Sequence, residues 1–239
     1  MRILLIGYGK MGQTIEKIAL ERGHAIVGKI GANNQSDLAN FNSSNTDVAI
    51  EFTQPEAAYQ NISHCLNHHI KVICGTTGWL DQKAAAEVLC HNTNGAFLYG
   101  SNFSIGVNIF FHLNKILAKI MHNFPAYDVV MEEIHHTQKL DAPSGTAITL
   151  AEGVLENFTG KSNWVNAPSK NQSDLVITSL REGTVPGTHT TTYTSAIDDI
   201  EIKHTAHSRQ GFALGAVVAA EWIADKTGVF SIEDMLKFN

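Results

Sequence analysis

Between Glu133 and Ala147 the chain reads Glu133-Ile134-His135-His136-Thr137-Gln138-Lys139-Leu140-Asp141-Ala142-Pro143-Ser144-Gly145-Thr146-Ala147. A histidine exchanges a proton near neutral pH, and a lysine four residues on from the first can hold a carboxylate or deliver a proton. Pro143-Ser144-Gly145-Thr146 precedes a helical pattern over Ile148–Leu155, so its free backbone N–H groups and the helix dipole make an anion site. Together they suit a carboxylate-bearing substrate that must be protonated during reaction. Other readings compete. A metal would need a third ligand, none is evident at ordinary spacing and no cysteine lies near, so no metal is expected. One histidine of the pair could be structural, since neighbours in an extended segment point to opposite faces. Lys139 could be a solvated surface charge.

A second locus is Gly7-Tyr8-Gly9-Lys10-Met11-Gly12, a G-x-G-x-x-G directly after an apolar run and before a helical one. Such glycines permit a tight turn and close approach of backbone to a pyrophosphate at a helix N-terminus. The plainer alternative is a turn needed only for strand–helix packing. The acid that normally follows the second strand and binds the adenosine ribose is missing: Ala25 through Ser36 contains no Asp or Glu. Lys29 is the only charge there, beside the neutral Asn33 and Asn34. NADPH is therefore expected to be used at least as well as NADH, against the reading of Lys29 as solvated and remote from any cofactor. Further loops fall at the carboxyl ends of expected strands, where open α/β sheets bind ligands. They are Glu51-Phe52-Thr53, Gly75-Thr76-Thr77-Gly78 and Gly100-Ser101-Asn102-Phe103. Thr53, Gly75, Thr76, Thr77 and Gly100 to Phe103 are the cofactor contacts expected from them, or else ordinary turn residues.

The elements that must position these loci follow from periodicity. Strands are expected at Arg2–Ile6, Ala25–Ile30, Val48–Phe52, Val72–Cys74 and Ala96–Tyr99, with helices between them. Met11, Ile15, Ile18 and Arg22 share one helical face, and Pro55 suits a first helical turn. Alternation of this kind implies a doubly wound parallel sheet, Rossmann-like in class. The polar stretch 31–46 reads as a loop. From residue 104 the pattern changes to a second, α+β domain for substrate binding and oligomerisation. Ile109, Leu113, Ile116, Leu117 and Ile120 mark a long helix, followed by a strand at Val129–Ile134. Thr188, Thr190, Thr191, Thr192 and Thr194, with Ile200-Glu201-Ile202-Lys203, suggest antiparallel strands with one wet face. The stretch 157–174 carries little signal. The apolar helix Gly211–Lys226 must be covered on most sides and is expected to return to the first domain. The domains are thus 1–103, completed by 210–239, and 104–209.

The chain has 239 residues, 44% hydrophobic, enough to bury a core in one or two domains. Its net charge of −6 leaves no basic surplus for phosphates, which argues against nucleic acid. No apolar run approaches the roughly 20 residues that cross a bilayer, and the start has no signal-peptide layout. With an odd number of cysteines, Cys65, Cys74 and Cys90, the chain reads as a cytoplasmic protein with reduced thiols.

The segment Glu133–Ala147 resembles the signature of the 4-hydroxy-tetrahydrodipicolinate reductases, also called dihydrodipicolinate reductases. Gly7–Gly12, Glu51–Thr53, Gly75–Gly78, Asn102–Asn108 and His204–Ala220 support it in order along the chain. Two departures stand out: the glycine loop is one residue shorter than the G-x-x-G-x-x-G common in the family, and the ribose-binding acid is absent. The resemblance implies NADPH or NADH as cofactor and a small cyclic dicarboxylate as substrate. That substrate would lose water, take hydride and then a proton, within lysine and diaminopimelate biosynthesis. It implies His135 as proton donor and Lys139 as the second catalytic group. His136, Lys139, Ser144, Gly145 and Thr146 would hold the carboxylates, and Arg209 would help orient the histidine segment. A homotetramer is implied too, and domain closure is expected about Phe103–Gly106 and Arg209–Gly211. Another two-domain amino-acid oxidoreductase, or a non-catalytic NAD(P)H sensor, would share the glycine loop without needing the Ser144–Thr146 anion site beside His135 and Lys139.

Overall fold

The computed structural model describes residues 1–208 and 210–238. In chain order the first elements are β1 (Arg2–Ile6), α1 (Lys10–Glu21), β2 (Ala25–Ile30), β3 (Val48–Glu51), α2 (Pro55–Asn67), β4 (Lys71–Cys74), α3 (Lys83–Asn92) and β5 (Ala96–Tyr99). Next come α4 (Ile105–Met121), β6 (Asp128–His135), α5 (Gly145–Leu155), β7 (Asn163–Val165), β8 (Asp174–Arg181), β9 (Gly187–Thr194) and β10 (Asp199–Ala206). The chain ends with α6 (Gln210–Ile223), β11 (Gly228–Ser231) and α7 (Ile232–Leu236). Two compact units result, Met1–Ile105 with Gln210–Asn239, and Gly106–Arg209. Arg209, expected to orient the histidine segment and to form part of a hinge, lies outside the described residues.

In the first unit six parallel strands take the order β11-β5-β4-β3-β1-β2. Side chains alternate along β1. Ile3 and Leu5 share a core with Ile15 and Ala19 of α1 and with Ala213, Val217 and Ala220 of α6. Leu4 and Ile6 share another with Ile62 and Leu66 of α2 and Ala86 of α3. Burial on both faces explains why these strands are continuously apolar. The chain runs from β1 outward to β2 and then back past β1 to β3, so the strand order reverses between β1 and β3. That reversal opens the crevice in which such sheets bind ligands.

The long apolar tail helix is here α6, covered by this sheet as its composition demands. The edge strand β11 and the short α7 are not evident from periodicity. Stretch 31–46 is not merely loop: Ala32–Asn40 winds as a 3-10 segment, its entry closed by Gly31 N–H donating to Asn34 Oδ1 at 2.7 Å, with Leu38 buried. All three cysteines are free and buried, and burial pushes the Cys65 and Cys74 thiols up.

The second unit holds a mixed sheet, β10-β9-β6-β8-β7. β9 pairs antiparallel with β6 and β10, whereas β8 runs parallel to β6 and β7. Helices α4 and α5 share its core through Phe110, Ala118, Leu150 and Val154 against Val129, Met131, Leu175, Ile177 and Tyr193. Two expectations change. A wet face is expected for the threonine strand, but β9 lies inside the sheet and Thr188, Thr190 and Thr191 are all buried. The residues that reveal α4 are mostly on its outer side: Ile109, Leu113, Ile116 and Ile120 are 42 to 51% exposed, while Val107, Phe110, Ala118 and Met121 are buried. An apolar repeat identifies a helix without saying which of two apolar stripes is covered. β7 and β8, in and beyond the weak stretch 157–174, are also not foreseen. Among the described residues no helix is long and apolar enough to cross a membrane.

Candidate functional site

The glycine loop sits at the strand-order reversal. Gly7 has φ +99°, and a Cβ there would stand 1.8 Å from Phe52 O, so only glycine lets the loop after β1 pass the loop after β3. A Cβ on Gly12 would lie 2.3 Å from Gly7 O. Gly9 is the N-cap of α1 and borders open space; the helix start has no side-chain cap and no acid in its first turn. Its amides are thus left for an anion, as a dinucleotide pyrophosphate requires. Lys10 is exposed, while Met11 packs on the core, so Met11 offers a ligand only backbone. Tyr8 and Lys29 meet Glu16 of α1. Lys29 Nζ is 2.5 Å from Glu16 Oε1, and the Tyr8 hydroxyl donates to the same carboxylate. Lys29 is therefore paired, not simply solvated.

The neighbouring loops are tied together by Glu51, a fully buried carboxylate at the end of β3 to which the sequence alone assigns no role. It accepts from Thr76 Oγ1 at 2.8 Å, from Cys74 Sγ at 3.0 Å and from the Thr53 hydroxyl. Thr76 Oγ1 also accepts from Thr53 N–H at 2.7 Å. The Thr76 side chain therefore braces the loop from within, while Thr77 and Ser101 face outward. Gly75 and Gly100 leave no room for a side chain, because a Cβ would meet the Phe52 ring at 2.2 Å and Ile232 at 2.7 Å. Asn102 Oδ1 accepts from Ser104 N–H at 2.9 Å. The Phe103 ring is buried, with its centroid 5.6 Å from that of Phe52.

In the second unit, alternation along β6 points Met131, Glu133 and His135 inward. His135, the last residue of the strand, is buried and His136 half-buried. Glu133 has no exposed surface. It receives Ser144 N–H at 3.1 Å on each oxygen, Ser179 Oγ at 2.8 Å and Arg181 Nη2 at 3.4 Å. His135 Nδ1 lies 3.3 Å and His189 Nε2 3.7 Å from its Oε2. Burial alone would raise the Glu133 pKa, but contacts from His135, Ser144 and Ser179 outweigh it and hold the carboxyl well below its usual range. The His189 ring stands edge-on to His135, centroids 5.1 Å apart. Burial, and then the neighbouring His135, push His189 down to about 4.

Glu133, His189 and Arg181 are the residues that sequence reasoning missed. Glu133 was visible in the string; His189 and Arg181 arrive from β9 and β8 by strand pairing. One ligand atom from each of Glu133, His135 and His189 lies within 4.8 Å of the others. This is the third ligand that sequence spacing does not reveal. The Arg181 guanidinium on Glu133 opposes a cation there, and both Glu133 oxygens already accept hydrogen bonds.

Lys139 Nζ donates to Asp141 at 2.7 and 2.8 Å, and Arg181 Nη2 donates to Asp141 O at 2.6 Å, bracing the loop. Ser144 is buried. It caps α5 by accepting Ala147 N–H at 3.2 Å, and its Oγ lies 3.1 Å from His189 Nε2. With its amide on Glu133 as well, its polar groups are engaged inside the protein. The exposed Gly145 and half-buried Thr146 are the helix-start residues that face outward.

Acid should therefore loosen this unit. The stability from Glu133 is fully present above the ordinary carboxylate value of 4.5 and is lost as pH falls through the depressed native value. His189 acts at higher pH: between its ordinary value of 6.5 and about 4, the unfolded chain binds a proton that the native chain refuses. His189→Gln is expected to flatten the fall of the unfolding free energy, read from urea titrations across that window, by up to about 1.4 kcal/mol per pH unit. An unchanged slope would assign the loss to other groups.

A parallel sheet with a glycine loop at its reversal point, joined in sequence to a mixed sheet bearing a buried histidine–carboxylate cluster, defines a two-domain nicotinamide-dependent oxidoreductase. Residues 1–103 match the family description "Dihydrodipicolinate reductase, N-terminus" and residues 106–236 its C-terminus. A 4-hydroxy-tetrahydrodipicolinate reductase of Christiangramia forsetii is 53% identical over 238 residues, spanning 99% of this chain and 98% of its own. One from Neisseria meningitidis serogroup B is 32% identical over 94% of this chain and 84% of its own. The chain belongs to the dihydrodipicolinate reductase family. A solved dipicolinate-bound dihydrodipicolinate reductase from Paenisporosarcina sp. TG-14 shares the fold, with a TM-score of 0.79, 21% identity and 97% of each chain covered.

Proposed function

We propose that the protein reduces 4-hydroxy-tetrahydrodipicolinate to tetrahydrodipicolinate with loss of water, using NADH or NADPH, in the cytoplasm. The observation that carries the assignment of roles is the buried Glu133–His135–His189 cluster next to the start of α5. With Nδ1 of His135 turned to Glu133, Nε2 is the atom that gives a proton. Gly187 leaves space beside it, where a Cβ would stand 3.1 Å away. Lys139, held now by Asp141, exchanges that partner for a substrate carboxylate. His136 and the amides of Gly145 and Thr146 neutralise the rest of the dianion. Gly7 to Gly12 hold the pyrophosphate; Thr53, Gly75, Thr77 and Gly100 to Asn102 flank the nicotinamide half. Bound there, the nicotinamide supplies the hydride, and the protein's own task is alignment, charge neutralisation and one proton.

The same reading gives a homotetramer. Val130 is exposed on the face of the second sheet opposite Val129 and Tyr193, and a further subunit would cover it. Enzymatically generated substrate, added to protein with each cofactor in turn, tests the assignment. The absorbance of the reduced nicotinamide should fall only when protein and substrate are both present. No fall with either cofactor would refute the assignment.

A further inference from the structure

The strand-end acid that reads the adenosine ribose in such sheets is absent from β2, yet the structure brings a carboxylate from another element against the last residues of that strand. Glu16, on α1, sets Oε1 2.5 Å from Nζ of Lys29, the penultimate residue of β2. Tyr8, in the glycine loop, donates its hydroxyl to Glu16. Lys29 Nζ in turn lies 3.3 Å from the Tyr8 hydroxyl and 4.8 Å from its ring centre. Loop, strand end and helix thus close into one cluster of zero net charge at the edge of the glycine loop. It stays open to solvent: the Lys29 side chain is 42% exposed and that of Glu16 18%.

The arrangement bears on the one atom group that separates the two cofactors. A ribose 2′-hydroxyl can donate to Glu16 and accept from Lys29 without breaking their pair. A 2′-phosphate meets an ammonium already committed to a carboxylate, and repels that carboxylate. We infer that Glu16 is a specificity-determining residue that supplies from α1 the acid missing after β2 and favours NADH over NADPH. This reverses the preference that Lys29 suggests when read in sequence alone. The inference rests on the dinucleotide reading of the Gly7–Gly12 loop.

Equilibrium binding of NADH and of NADPH, followed by nicotinamide fluorescence, tests it without turnover. The wild-type protein should bind NADH more tightly. Glu16→Gln frees Lys29 and should move the ratio of the two dissociation constants at least tenfold towards NADPH. Lys29→Gln unmasks Glu16 and should move it the opposite way. Lys29 is exposed and Glu16 half-buried, outside both cores of the first unit, so both variants should melt cooperatively. A ratio that moves less than twofold in Glu16→Gln, or moves towards NADH, overturns the inference. Gly9→Asp separates this from failure of the loop reading. Its Cβ meets nothing within 4 Å, so the new carboxylate should abolish binding of both cofactors by repelling the pyrophosphate. If Gly9→Asp binds both normally, the loop reading falls and this inference with it. If it binds neither while the Glu16 and Lys29 variants keep the wild-type ratio, only this inference falls.

Discussion

His135→Ala is expected to lower kcat by on the order of 10²–10⁴, the usual contribution of a positioned acid. Its ring is buried, with Nδ1 3.3 Å from a carboxylate that has no exposed surface, so the imidazole stands beside its counter-charge before substrate arrives. Lys139→Ala should cost as much or more, because in the proposed mechanism its ammonium leaves Asp141 to neutralise a substrate carboxylate. The double variant should fall little below the worse single one, as expected of groups that act as a unit. Steady-state rates with generated substrate give these values. The fluorescence of bound NADH supplies the control, since the glycine loop is built from other elements and its affinity for cofactor should hold. A double variant that keeps a tenth of wild-type turnover would remove both residues from the mechanism.

Gly215→Ala is expected to damage the first unit although it adds a single methyl group. A Cβ on Gly215 of α6 would lie 1.6 Å from Phe103 O and 2.7 Å from Phe103 C. The obstacle is backbone, so no rotamer change relieves it; either α6 lifts from the sheet or the 100–103 loop moves. Overpacking a tight core commonly costs about 1–3 kcal/mol, and a backbone collision belongs at or beyond the top of that range. Urea unfolding should show the loss as a lower midpoint. The same displacement moves Ser101 and Asn102, so cofactor affinity should weaken even where the protein remains folded. Unchanged stability would mean that α6 does not pack this closely on Phe103.

Much of this was legible in the chain. Strand–helix alternation, the glycine loop and the string from His135 to Thr146 are local features, in which neighbours along the sequence do the work. Only Gly7, Tyr8 and Gly9 separate β1 from α1, so a G-x-G-x-x-G spanning that junction has few geometries open to it. The helix expected over Ile148–Leu155 begins three residues earlier, at Gly145, with Ser144 as its N-cap.

What the sequence by itself determined was which elements form and which side chains could carry chemistry. Only the tertiary structure decided which partners those side chains meet. Glu133 gains Ser179, Arg181 and His189 through the register of β6 with β8 and β9, and no periodicity within β6 encodes that register. Glu16 and Lys29, one on a helix and the other on a strand, become an ion pair because the chain turns back after α1 to lay β2 alongside it. Ser144 turns from an expected ligand for substrate into a brace once Glu133 and His189 stand beside it. The physical reason is common to all three. Patterning along a chain reports the faces of one element, whereas burial, charge pairing and hydrogen bonding at a site depend on the element packed against it.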